Sequence, residues 1–292
     1  MTTKYKKRWG DRKEGRRVQT LHPMDYVSPY IMVERNDASN FFRDSFNVTK
    51  VEEFIKRKRE EGLTDFGYTH LIVASYVRAV SQYPGINRFI GGQKIYARNE
   101  IAVNMMVKTK MANNEQGTSI KVIFEPTDTI DEVYHRFQEA VNAVYEDSDS
   151  GFDKAAAVIN KIPGLLKKFI VWLLKTMDYF DLLPRALTKV SPFHCSLFIT
   201  SMGSLGIQPI YHHLYNFGNV PVFLAFGAKR KAYEVNRNGD VIKSLYIDMA
   251  VVTDERICDG FYFASAFRKF GHYIKHPEIL EKAPETVVED IK

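Results

Sequence analysis

Only two cysteines, Cys195 and Cys258, occur in 292 residues; they are too few for a disulfide framework and suit a reducing cytoplasm. CxxC, HExxH, Walker and GxGxxG patterns are absent, which removes the usual signatures of zinc, nucleotide and dinucleotide enzymes. No apolar run approaches the ~18 residues of a spanning helix. The N-terminus lacks the apolar core of a secretory signal. What the chain does hold is 45% hydrophobic and 13% aromatic residues, enough for a sizeable core in one large domain or two small ones.

Charge is informative by position. Residues 1–17, MTTKYKKRWGDRKEGRR, carry eight Lys or Arg against two acids, so this basic arm alone matches the +6 of the whole chain. Such an arm can touch nucleic acid or an anionic membrane. The plainer reading is a solvated tail that packs Trp9 on the body, and no nucleic-acid partner is expected.

YIMVERNDASNF (30–41) reads as a strand leading into a polar segment. Residues 48–62 are apolar at 48, 51, 54 and 55, a helical spacing closed by Gly62. Residues 68–84 read as a buried helix stopped before Pro84. A hairpin-like pair of strands follows at 91–109, then a strand at 118–126 and an amphipathic helix at 129–147 capped by Asp128 or Thr129. Residues 194–227 read as strand, glycine-punctuated turn, loop and strand, 244–260 as a strand ending in a turn, and 261–277 as the final helix. The polar tail 277–292 reads as peripheral. This alternation fits an α+β or α/β domain.

Residues 148–190 break the pattern. SDSGFDKAAAV reads as a flexible lead-in to a leucine- and aromatic-rich stretch with lysines at 167, 168 and 175. Three readings stay open for 162–183: a core helix, a lid over an apolar ligand channel, or a surface helix that touches a membrane.

The most informative stretch is VVTDERICDGFYFASAF (251–267), where Asp254, Glu255, Arg256 and Asp259 sit beside an apolar strand. Charges in such a place cost free energy unless each is paired or used. The pattern D-x-R-x-x-D-G after an apolar strand, with FITSMGSLG (198–206) some fifty residues upstream, resembles the catalytic domain of 2-oxo acid dehydrogenase acyltransferases, whose fold chloramphenicol acetyltransferase shares. Residues 83–107 resemble their helix-to-strand passage, and Cys258 echoes the acetyltransferase version of the motif. The resemblance implies an α+β, chloramphenicol acetyltransferase-like fold over residues 18–276, a mixed sheet flanked by helices with a helical insertion at about 150–190. It also implies a homotrimer with channels between subunits, in which a coenzyme A thioester enters from one side and the acceptor from the other. With no metal-ligand motif, no metal is expected, and the chain offers no lipoyl attachment domain.

One departure matters. The family's catalytic histidine, which takes the proton of the attacking thiol or hydroxyl, falls at position 255, and this chain has Glu255 there. The family's oxyanion serine falls at Thr200, with Ser201 adjacent, and a threonine hydroxyl can still donate to an oxyanion. Moving a thiol proton to an ordinary imidazole is uphill by roughly 3 kcal/mol, and to an ordinary glutamate by roughly 6 kcal/mol. Burial of Glu255 would recover much of that difference, and an Arg256 facing it would do the reverse. Glu255 is thus read either as a replacement base or as a relic in a site that no longer turns over. The resemblance makes Asp259 structural, in a salt bridge for which Arg16 or Arg17 is the candidate partner. Gly260 permits the turn, and Gly203 and Gly206 answer backbone-turn requirements.

His212 and His213, in the loop after the oxyanion turn, are candidate substitute bases set against a packing role; His22, His70 and His194 are read as structural. Two functions follow. The first is transfer of an acyl group from a coenzyme A thioester to a thiol, hydroxyl or amine at a subunit interface. The second is a catalytically inactive homotrimer of the same fold that binds acyl-CoA or serves as a scaffold. A carrier protein or a membrane surface is a further candidate partner for residues 162–183.

Overall fold

A computed structural model describes residues 7–107, 117–146, 157 and 159–290. Residues 1–6 of the basic arm and nearly all of the lead-in read at 148–158 lie outside the described residues. The first half of the chain runs β1 (Gly15–Arg17), α1 (Pro23–Ile31), β2 (Ser39–Asn47), α2 (Val51–Glu60), α3 (Tyr68–Gln82), β3 (Phe89–Gly91), β4 (Lys94–Arg98), β5 (Ile101–Val107), β6 (Thr118–Phe124) and α4 (Ile130–Glu146). The second half runs α5 (Gly164–Tyr179), α6 (Arg185–Val190), β7 (Leu197–Ser201), β8 (Val222–Phe226), β9 (Arg230–Val235), β10 (Val241–Asp254) and α7 (Gly260–Lys275).

Seven strands form a mixed sheet in the order β2-β10-β8-β7-β5-β6, with β9 paired to the first half of β10. β7 lies parallel to both β5 and β8, and the other pairings are antiparallel. The alternation of side chains along a strand sorts this sheet into two faces. Leu197, Ile199, Val222, Leu224, Met249 and Val251 point to one face and join the main core with helices α3, α4 and α7. α3 is buried almost throughout, which is why its sequence is apolar on every side. Phe198, Phe223 and Val252 point the other way into a small cluster closed by Leu214 and Val220 of the loop between β7 and β8.

Several sequence expectations change. The strand expected at the start of 30–41 is absent: Tyr30 and Ile31 end α1, and β2 starts only at Ser39, after the polar segment. β4 and β5 flank a tight turn but do not pair; β4 joins β1 and β3 in a separate three-stranded sheet, and β5 joins the large one. Trp9 is 96% exposed rather than packed on the body. The arm is instead anchored beyond it, by β1 and by Arg12 and Lys13, which donate to the carbonyls of Tyr179 and Leu183. The polar tail is docked as well. Val288 N–H donates to Ser81 O at 2.8 Å, and buried Asp290 takes both Nε and Nη2 of Arg88.

The capping of α4 follows its sequence. Thr129 Oγ1 accepts from Glu132 N–H, and the Glu132 carboxylate returns a contact to Thr129 N–H. No residue of α5 is buried, so this helix is no core element; Leu165, Phe169 and Trp172 stand in solvent. No helix among the described residues is long and apolar enough to cross a membrane.

Candidate active site

β10 carries its last side chain, Asp254, on the face away from the main core, and Asp254 is 1% exposed. Arg256 Nε and Nη2 donate to its two carboxylate oxygens at 2.8 Å each, and Arg35 Nε stands 3.4 Å from one of them. Both arginines reach onward. Arg256 Nη1 donates to Met32 O and Val33 O at 2.8 and 3.1 Å; Arg35 donates to Tyr215 O and Gly218 O at 2.5 and 2.8 Å. One buried carboxylate therefore ties together the end of β10, the segment after α1 and the loop before β8. Two guanidiniums against one carboxylate remain tolerable because four carbonyls take the spare donors. Burial pushes the Arg35 guanidinium below its ordinary range and Asp254 opposes that push.

Arg256 therefore faces Asp254 and carbonyl oxygens, not Glu255. The Glu255 N–H donates to Ala38 O at 2.8 Å, which fixes the backbone, while the side chain is exposed and makes no ion pair or hydrogen bond among the described residues. Asp259 departs from the salt-bridge role expected of it. Its Oδ1 accepts from Tyr262 N–H at 2.8 Å, capping α7, and it pairs with neither Arg16 nor Arg17. The arginine that reaches this turn is Arg88, bound to Asp290 and 3.5 Å from Ile257 O. Gly260 opens α7 with room for a side chain: a methyl there would meet nothing within 4 Å, so this chain's own turn does not demand glycine. Burial pushes the Cys258 thiol up, which keeps it protonated.

Thr200 and Ser201 end β7 in the middle of the sheet, both partly exposed. Gly206 behind them has φ +73°, and a methyl on Gly203 would lie 2.9 Å from Gly227 O, so both glycines are required where the sequence placed them. Thr200 lies level with Ala225 and Ala250 across two strands. Glu255, just past the end of β10, is five residues beyond Ala250, which puts it roughly 20 Å from Thr200 at ordinary strand rise and spacing. Within one chain the two cannot act on the same atom.

His212 lies closer to the Thr200 row. Its ring stacks on Phe223 at 4.3 Å between centroids, and Phe223 stacks on Phe198 at 4.6 Å. Burial, with His213 adding to it, pushes His212 down and keeps it neutral; its Nε2 is buried without a partner among the described residues. His213 is exposed and packs edge-on to Tyr215.

A polar cleft of about 240 Å³ opens beside Arg256, bordered by Glu34, Arg35, Asn216, Arg12 and Asp178. Sequence reasoning missed Arg35 and Arg88. Nothing local marks either, because their partners lie about 220 and 200 residues away. Among the described residues no group of His, Cys, Asp or Glu side chains is placed to hold a metal ion.

No family model and no curated protein sequence matches the chain. Solved structures do match it in shape. A probable dihydrolipoamide acetyltransferase from Listeria monocytogenes 4b F2365 aligns over 93% of this chain and 99% of its own, with a TM-score of 0.56 and 11% identity. A chloramphenicol acetyltransferase aligns over 88% of this chain and 100% of its own, at 0.53 and 11%. A truncated catalytic core of the 2-oxoacid dehydrogenase multienzyme complex from Thermoplasma acidophilum aligns over 90% and 99%, at 0.52 and 12%. The likeness is one of fold, and it agrees with the fold that the residues of 198–206 and 254–260 pointed to: the chain has the chloramphenicol acetyltransferase-like α+β architecture.

Proposed function

We propose that the protein is an acyltransferase that works as a homotrimer and moves an acyl group from a coenzyme A thioester to a thiol, hydroxyl or amine acceptor. In this reading Glu255 of one copy faces Thr200 of a neighbouring copy, with Ser201 beside it turned to the other side of β7. Glu255 takes the acceptor's proton, and the Thr200 hydroxyl stabilises the oxyanion of the tetrahedral intermediate. The observation that carries it is a Glu255 side chain left exposed and unpaired on a rigidly clamped turn, while ordinary strand rise and spacing put Thr200 of the same chain roughly 20 Å away. Burial of that carboxylate then comes from the neighbour. His212, beside the Thr200 row, is the substitute base if Glu255 is idle. Arg256 holds the turn through Asp254, Asp259 and Gly260 start α7 behind it, and the cytoplasm is the compartment that suits two free cysteines.

Native mass spectrometry of the protein with acetyl-, octanoyl- and palmitoyl-CoA tests this. The expected result is a trimer that binds one thioester per chain and releases free coenzyme A over time, with release lost in Glu255→Gln at unchanged thioester binding. A trimer that holds the thioester unchanged supports the second reading, a non-catalytic acyl-CoA-binding protein, which the exposure of Glu255 in the single chain favours. A monomer, or a trimer that ignores all three thioesters, sinks both.

A further inference from the structure

A different part of the molecule holds a nucleophile, a base and an acid in contact. Under the Val171 and Leu174 side of α5 lies an apolar cavity of about 370 Å³, walled by Leu187, Phe193 and Phe217. Two of the few polar side chains on its wall are Ser191 and His194, 3% and 4% exposed. Ser191 Oγ stands 2.9 Å from His194 Nδ1, and His194 Nε2 stands 3.3 Å from Asp178 Oδ1. The same carboxylate is 3.6 Å from Arg12 Nη2. Asp178 borders the polar cleft beside Arg256, so the His194–Asp178 pair forms the partition between that cleft and the apolar cavity.

The chemistry of this trio is directional. Burial would push the Asp178 carboxyl up, but the hydrogen bond from His194 and the Arg12 charge outweigh it and hold the group below the usual carboxylate range. A carboxylate only accepts, so it fixes the imidazole with its proton on Nε2 and leaves the Nδ1 lone pair to the Ser191 hydroxyl. Phe193 N–H donates to Ser191 Oγ at 3.3 Å, which fills an acceptor position and leaves the hydroxyl proton aimed at the ring. A serine in contact with a base that a carboxylate orients is the arrangement of an activated nucleophile, here with the two ring nitrogens used in the opposite sense to the serine-protease pattern. The rest of the cavity is apolar, apart from Lys167 and Asn160, 3.3 Å apart on its wall.

We propose that Ser191, His194 and Asp178 form a second acyl-handling centre that cleaves esters or thioesters of hydrophobic acyl chains seated in this cavity. Ser191 Oγ attacks the acyl carbonyl carbon, its proton passes to His194 Nδ1, and the carbonyl π pair moves onto oxygen. Collapse of that intermediate breaks the bond to the alcohol or thiol, which leaves with the proton from Nδ1. Water then attacks the acyl-serine, gives a proton to Nδ1, and the carboxylic acid departs as Ser191 Oγ recovers that proton. Ester and water are consumed, and acid and alcohol (or thiol) are released. Asp178 touches no substrate; it is a positioning residue for His194. The centre uses neither Glu255 nor a second copy of the chain, so it stands or falls apart from the coenzyme A reading.

The test uses the whole protein with an alkyl fluorophosphonate probe and, without coenzyme A, with p-nitrophenyl octanoate and p-nitrophenyl acetate. The expected result is one covalent phosphonyl adduct per chain, mapped to Ser191, and faster turnover of the octanoate. Ser191→Ala, checked for an unchanged circular dichroism spectrum, loses both adduct and turnover. Asp178→Asn lowers kcat by about 100-fold or more with KM little changed, as loss of tautomer control predicts; a merely structural acid would not split the two constants. No adduct at Ser191 in folded wild-type protein overturns the proposal, whatever the variants do. So does octanoate turnover that persists in folded Ser191→Ala.

Discussion

The two faces of the seven-stranded sheet come from the same strands, residue by alternate residue, and are used in opposite ways. On one, Leu197, Ile199, Leu224 and Val251 are sealed under three helices. On the other, Phe198, Phe223 and Val252 have only a loop over part of them, and Phe41, Met106, Ile123 and Tyr211 stay exposed. The sealed face supplies the burial that makes a fold of this size stable. The open face carries Thr200, His212 and, past its edge, Glu255. The difference teaches that stability and the proposed chemistry would be separated by a single-residue shift in register, since each strand contributes alternately to both faces. Asp254 is where the two requirements meet, a charged residue buried at the rim of the open face.

The largest effect is expected there. Asp254→Asn leaves two buried guanidiniums without a counter-charge and should cost about 3–5 kcal/mol in urea unfolding. The apolar counterpart on the sealed face is Leu224→Ala, expected to cost about 2–5 kcal/mol through lost burial and the cavity left behind. If Asp254→Asn is the milder of the two, the clamp does not hold the open face in place.

A third probe lies in the helical layer behind the sealed face. His70 accepts from Gly67 N–H and packs among Phe66, Tyr134 and Phe137. Burial pushes it down to about 4. In the unfolded chain the same group titrates near ~6.5. Between those values the unfolded chain holds a proton that the folded one refuses, so stability is full above pH 6.5 and falls as pH drops towards 4. The linked loss is roughly 3 kcal/mol. Urea midpoints at pH 7 and pH 4.5 should converge in His70→Asn, which keeps an acceptor for Gly67 but cannot titrate. An equal pH response in wild type and variant would place the acid sensitivity elsewhere.

How much of this could be read from sequence follows the range of each interaction. Helical spacing in 51–60 and 68–82, and the cap at Thr129, are local, and the structure has them. The glycines of 203–206 are local too, and both are needed. The pairing of β4 away from β5 was hidden because a tight turn between two extended runs looks the same whether or not the runs pair. Arg35, Arg88 and the docking of the tail depend on partners some 200 residues off, which periodicity cannot show. Residues 254–260 mark the turn that the buried acid clamps, but not its wiring. Asp254, not Asp259, is the buried paired acid, and Asp259 spends its carboxylate on a helix cap. The Ser191–His194 contact spans three residues, yet its meaning depends on Asp178 and on a cavity that no local pattern reveals.

The smallest expected effect on the single chain is also the sharpest test of the open face. Phe41 projects from β2 on the Asp254 side of the sheet, more than half exposed, and meets Tyr211 edge-on at 5.6 Å between ring centroids. Arg43 lies over the same tyrosine ring. A residue with that much solvent contact contributes little to the chain's own stability, so Phe41→Ser should leave it unchanged within about 0.5 kcal/mol. If the face is covered by neighbouring copies, the same substitution removes an aromatic anchor from the contact. The assembly measured by sedimentation should then move from trimer towards monomer at micromolar protein, with the far-UV spectrum unchanged. A trimer of undiminished stability in Phe41→Ser would mean that the copies meet elsewhere, and that Glu255 and Thr200 have no shared interface on this side of the sheet.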